Sequence, residues 1–256
     1  MTTYNLNQYN LGPLCKLRDW VPIQKLSYMW LSANPNAIHL LEQNIDKIDW
    51  FYLSANPNAI HLLEKNIDKI NWHMLSENPN AIHLLEPNLL QIRWNWLSAN
   101  PNAIHLLEKN MYKINWSELS SNPNAMHLLE QNMHEISWAN LSENPNAIHL
   151  LEKNMDKIYW YSLSRNPNAI HLLEQNMDKI DWENLSENPN AIHLLENNID
   201  KIDWSYLSLN PSIFEYDYEA MRNRMKLIAE ELIANRFHPK NMDKFVSWGF
   251  EDFNLE

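Results

Sequence analysis

With 256 residues, 45% of them hydrophobic, the chain has material for a folded core, and its 2 glycines are too few for a β protein rich in tight turns. A net charge of −12 repels phosphate backbones and anionic membranes, so neither nucleic acid nor a membrane surface is an expected partner. The single cysteine, Cys15, excludes a disulfide within the chain and suggests a reducing compartment, and no apolar run reaches the roughly 18 residues a membrane span needs.

The first residues, Met1-Thr2-Thr3-Tyr4, lack the charged and apolar regions of a signal peptide, so none is expected. Residues 1–30 read as an N-terminal cap that holds a degenerate half unit. There Lys25-Leu26-Ser27-Tyr28 aligns with Lys47-Ile48-Asp49-Trp50, with tyrosine in place of tryptophan.

From Leu31 to Trp204 the chain consists of eight near-identical copies of a 22-residue unit, and a ninth starts at Leu207-Ser208-Leu209-Asn210-Pro211. A fixed period of this length marks an array in which one small unit stacks on itself. The predicted fold is all-α: an α-solenoid of tandem two-helix repeats over residues 31–211, with caps at both ends. In each unit Asn34 is the expected N-cap and Pro35 the first residue of a helix over 35–43. A second helix is expected from Ile45 to Ser54, capped by Asn44, with a break near Asp49 as the alternative. Its apolar residues Ile45, Ile48, Trp50 and Leu53 spread over more than half its circumference. A helix packed against its partner and both neighbouring repeats looks like this. Helices this short need stacking to survive. Units spaced by helix packing distances predict a rod or arc roughly 65–80 Å long.

Divergence among the copies sorts inside from outside. Ala37, Leu40, Leu41, Glu42, Asn44, Ile48 and Trp50 recur in all eight, which assigns them to packing. The two residues after each tryptophan vary freely, from Phe51-Tyr52 to Ser205-Tyr206, which predicts a solvent-facing pair. The tryptophan row reads as a buried spine, since an aromatic ring buries a large area. A ladder for stacking bases or sugars needs a basic surround that this acidic chain does not supply. The histidine row, His39 to His193, invites a metal assignment, but ligands one repeat apart do not converge on one ion. A local pair with the following glutamate, or a hydrogen bond to an adjacent repeat, is the simpler expectation. The asparagine rows read as helix caps before they read as peptide-binding amides.

The middle repeats depart from the pattern. The position held by Asp46 and Asp68 becomes Leu90, Tyr112 and His134, and Trp96 lies nearby in sequence. Loss of a recurring acid and gain of aromatics suit a partner-docking patch, so Leu90, Trp96, Tyr112 and His134 are the candidate binding residues. Residues 212–256 read as a helical C-terminal cap. Phe214, Tyr218, Met221, Met225, Ile228 and Leu232 step at helical spacing and predict a helix over 214–235, followed by a short one over 241–248.

The string Asn-Pro-Asn-Ala-Ile-His-Leu-Leu-Glu, followed by Lys-Ile-Asp-Trp and Leu-Ser, resembles short repeats in proteins of giant DNA viruses of amoebae, the Marseillevirus-like viruses. Asn210 to Tyr218, His238-Pro239 and Trp248-Gly249 are similar to that family's usual ending. Ile, Leu or Met at position 45 and its equivalents is a departure, since the family often has proline there. The resemblance implies no catalytic residues. With no phosphate loop, nucleophile motif or convergent metal set, an enzyme is not expected, and neither is a metal or cofactor. The expected function is a protein–protein interaction scaffold, monomeric, in host cytoplasm or virion. A purely structural virion or virus-factory component is the alternative.

Overall fold

The computed structural model describes residues 15–231, except for the side chains of 227, 228 and 231. It confirms an all-α array of 22-residue two-helix repeats. Two compact units are present: Leu17–Phe214, which holds the array, and a smaller unit to which, among the described residues, 15–16 and 215–231 belong.

Each repeat begins with an Asn-Pro-Asn turn. Asn34 Oδ1 accepts the amide of Asn36 at 2.9 Å, and its equivalent Asn78 is extended at the end of the preceding helix. The first helix therefore starts later than Pro35 suggests, at Ile38–Glu42. Asn44 is not a cap for the second helix. Its Nδ2 donates to Leu40 O at 2.9 Å and satisfies a carbonyl at the end of the first helix. The expected second helix is broken. Ile45–Lys47 is a single 3-10 turn, Ile48 is extended, and the α-helix proper is Trp50–Leu53. Asp49 is its N-cap, accepting the amides of Phe51 and Tyr52 at 3.0 and 3.2 Å. Asn71, Asn115, Ser137, Asp181 and Asp203 cap equivalent helices.

The core is made of stacked rows. Ala37, Leu41 and Leu53 are fully buried, as are their equivalents along the array. The tryptophans are not that spine. Trp50, Trp72 and Trp116 are half-buried, and several have a lysine of the next repeat over the ring, as Lys69 does over Trp50 at 4.5 Å. Trp72 and Trp116 face Gln91 and Glu135 at that register and lack the cation.

Buried polar ladders join the repeats. Asn56 is wholly buried, and its Nδ2 donates to Ser32 O and Asn34 O of the preceding repeat, both at 2.9 Å. Asn58 Nδ2 donates to Pro35 O at 2.9 Å. Ser32 Oγ donates to Tyr28 O and accepts the amide of Asp49. The asparagine row therefore caps, as expected, with Oδ1 taking the amide of the turn as Asn122 does for Asn124, and its Nδ2 in addition holds backbone of the chain's own preceding repeat.

The same ladder joins the two ends of the array. Asn34 Nδ2 donates to Ser208 O and Asn210 O at 2.9 and 3.0 Å. Asn36 Nδ2 donates to Pro211 O, and the amide of Ser27 donates to Ser208 Oγ, both at 2.9 Å. Lys25 covers Trp204 at 4.3 Å, and Arg18 N donates to Ile213 O at 2.9 Å. The Leu17–Phe214 unit is therefore a closed ring with nine equivalent asparagine junctions among the described residues. This corrects the expected rod or arc, whose ends instead meet. Each interface adds a turn of constant sense, and nine of them complete the circle. The half unit before Leu31 and the start of the ninth copy do not face water as caps; they mate with each other.

Outside the array, Cys15–Leu17 and Phe214–Tyr216 form a two-stranded sheet, and Lys16 lies 3.6 Å from Glu215. The helix expected from Phe214 begins instead at Tyr218 and is described to Glu231. Its first predicted turn is the second strand. The predicted helix over 241–248 lies outside the described residues.

Candidate functional site

Closure gives the ring an inner wall, and electrostatics locate it. Burial pushes the Glu77 carboxyl up to about 7, and the charges of Glu118, Glu143 and Glu187 push it the same way. Glu187 lies five repeats beyond Glu77, a separation that a rod would make tens of ångströms. The register of Glu77, Glu143, Arg165 and Glu187 therefore faces the ring centre, with Glu118 beside it. Glu143 and Glu187 are also raised by burial, an effect that Arg165 opposes. Arg165 Nε lies 3.1 Å from Glu187 Oε2.

The residue two places after each tryptophan lines the same wall. Trp30 stacks on Tyr206 with centroids 6.0 Å apart and meets Tyr52 at 4.7 Å. Arg165 lies over Tyr206 at 5.8 Å, and a hydrogen bond to Glu183 raises the Tyr206 hydroxyl. The expectation of a solvent-facing variable pair thus splits. Phe51, His73 and Ser117 are exposed, whereas Met74 and Asn184 are buried.

The candidate docking residues divide the same way. Leu90, Tyr112 and His134 occupy one register in three successive turns between helices. Leu90 is 96% exposed and Tyr112 83%. His134 Nε2 lies 3.6 Å from Glu135. Trp96 does not join them: it shares the register of Tyr52 and Tyr206 on the inner wall. Sequence reasoning missed the position just before each of the three. Ile45, Ile67, Leu89, Met111, Met133, Met155, Met177 and Ile199 are all exposed and extend an apolar band along the array. Their constant apolar character was visible, but an unbroken second helix placed Ile45 in packing.

The histidines bond between repeats. His61 Nε2 lies 2.9 Å from Glu42 Oε1, and the row continues to His193 and Glu174 at 3.0 Å. Both partners are about half exposed, so each pair contributes at most about 1 kcal/mol. His39, at the seam, meets Phe214 edge-on at 5.4 Å, and burial lowers its pKa.

Residues 33–211 match the family model described as periplasmic copper-binding protein (NosD). The chain belongs to this family. The matched stretch of this NosD-family chain, from Ala33 to Pro211, makes up most of the closed array. Copper belongs to the family's description. Among the described residues of this member, no three His, Cys, Asp or Glu side chains group as a metal ion requires. Nor is any described helix long and apolar enough to cross a membrane. Comparison with curated proteins and with solved structures gives no match.

Proposed function

We propose that this chain is a non-enzymatic protein-binding scaffold, made by a giant virus of amoebae and acting in host cytoplasm or in the virion. The observation that carries the reading is the apolar band on the turns between helices, which culminates at Leu90 and Tyr112. Exposed apolar side chains in a contiguous row are what a protein partner covers. The absence of a recurring acid at Leu90, Tyr112 and His134 lowers the desolvation cost there. The viral source rests on the resemblance of the repeat string.

Affinity capture from infected cells tests the scaffold. A partner captured by the wild type should be lost on Leu90→Asp with Tyr112→Asp, the helical circular dichroism spectrum being unchanged. Equal capture by both proteins would move the docking surface elsewhere. Abundance in purified particles with no captured partner would favour a purely structural virion component.

The family match favours a second reading, that the ring binds copper. The half-exposed histidines are its available nitrogen ligands. Calorimetric titration with a cupric salt decides it: saturable heat abolished by His→Gln changes along the row would support copper, and heat indistinguishable from dilution would reject it.

A further inference from the structure

One register of the ring sets a lysine over an aromatic face and omits it at two places. Lys69 lies over Trp50 at 4.5 Å, Lys113 over Trp94 at 4.3 Å and Lys157 over Trp138 at 4.6 Å. Four further junctions repeat the contact, among them Lys25 over Trp204 at 4.3 Å, where the two ends of the array meet. Gln91 stands where a lysine would cover Trp72, and Glu135 where one would cover Trp116. Among the described residues no lysine or arginine lies over either ring. Both rings are half-buried, and Gln91 and Glu135 are exposed. The negative face of an indole attracts an ammonium or guanidinium group. At Trp116 a carboxylate also replaces the usual cation. Its Oε1 lies 3.6 Å from His134 Nε2, and both side chains are exposed.

We propose that Trp72 and Trp116 are two cation sites for a partner polypeptide, whose lysine or arginine takes the place over each ring that the chain's own lysine fills elsewhere. The sites flank the exposed apolar patch: Gln91 follows Leu90, and Glu135 lies in the equivalent turn one repeat after Tyr112. The partner segment is therefore basic at both ends and apolar between them. This rests on the scaffold reading and names the chemistry of its partner. Charge runs the same way, since the chain carries a net −12 and this face lacks two of the lysines that the register supplies elsewhere. Two repeats correspond to roughly 16–20 Å at helix packing distances, a span of about six residues of extended chain.

The other repeats supply the competitor. Gln91→Lys with Glu135→Lys restores the pattern found at the remaining junctions, so the variant keeps the fold while its own ammonium groups occupy both rings. One cation over a partly exposed indole changes an affinity by roughly two- to fivefold, and two together by about tenfold.

The test is a peptide titration of the full chain, followed by NMR of the tryptophan indole N–H groups. The probe is a synthetic peptide of serine carrying two lysines about six residues apart, with two leucines between them on the same face of the extended chain. The resonances of Trp72 and Trp116 should shift, and those of the lysine-covered Trp160 and Trp182 should stay. Acetylating both peptide lysines should weaken binding about tenfold, and so should Gln91→Lys with Glu135→Lys. Gln175→Lys with Asp178→Lys adds the same charge at exposed positions of another repeat. It should change binding less than about twofold, because the Debye length in physiological salt is about 8 Å. Unmoved Trp72 and Trp116 resonances, equal shifts at every tryptophan, or undiminished binding by Gln91→Lys with Glu135→Lys would each overturn the proposal. The docking patch is judged apart. Loss of the peptide on Leu90→Asp with Tyr112→Asp, without loss on the lysine variant, would keep the patch and reject the cation sites.

Discussion

At the scale of the residue, the most heavily used side chain in this array is asparagine. Asn122 is wholly buried, donates to Ser98 O and Asn100 O, and accepts the amide of Asn124. Its loss leaves the Ser98 carbonyl and the Asn124 amide short of partners, while Asn100 O keeps the amide of Ala103, and each orphaned group costs about 1–3 kcal/mol. Asn122→Ala should therefore lower stability by about 3 kcal/mol, read from urea denaturation. Trp116→Ala should lower it by less, about 1–2 kcal/mol, because the ring is half-buried and has no lysine over it. The reverse order would mean that the tryptophans are the spine after all. Sequence alone favoured them, since ring size speaks for burial. The exposure of Trp50 and its equivalents depends on where the second helix begins, which the apolar pattern did not fix.

At the scale of the element, the repeat boundary and the two-helix unit were legible in the sequence, and the break near Asp49 stood there as the alternative to an unbroken second helix. Ile45 to Ser54 contains good helix formers, yet the extended backbone at Ile48 and the cap at Asp49 divide it. Asp, Asn or Ser at that position is a capping signal, visible in six of the eight equivalent positions among the described residues. Arg93 and Tyr159 are the other two and make no side-chain cap. Asp203→Ala removes the bonds to Ser205 N and Tyr206 N and should cost about 1 kcal/mol. Tyr159→Asp should gain a similar amount by restoring a cap. Thermal unfolding of the pair checks both signs. The same break explains the candidate site. It turns Ile45, Leu90 and Tyr112 outward on a connecting turn and leaves Trp96 on the helix that faces the ring centre.

At the scale of the whole array, the interface repeated at every junction dictates the result. Nine equivalent asparagine junctions around one circle fix a rotation of about 40° at each. The repeat count is thus a structural parameter. Deleting one 22-residue copy should leave the remaining junctions formed but the circle short of closure, with larger dimensions in small-angle scattering than the intact protein despite the shorter chain. Closure was not legible in the sequence, because a periodic string reveals that units stack and is silent about the angle between them. Only the degenerate Lys25 to Trp30 half unit hinted that the N-terminal end carries an interface meant for a neighbour. The most direct measurement is the distance between spin labels on Gln24→Cys and Ser205→Cys, in a Cys15→Ser background. Closure predicts a separation under about 25 Å, that of adjacent helices plus label arms, and a separation of roughly 65–80 Å would contradict it and restore the open rod or arc.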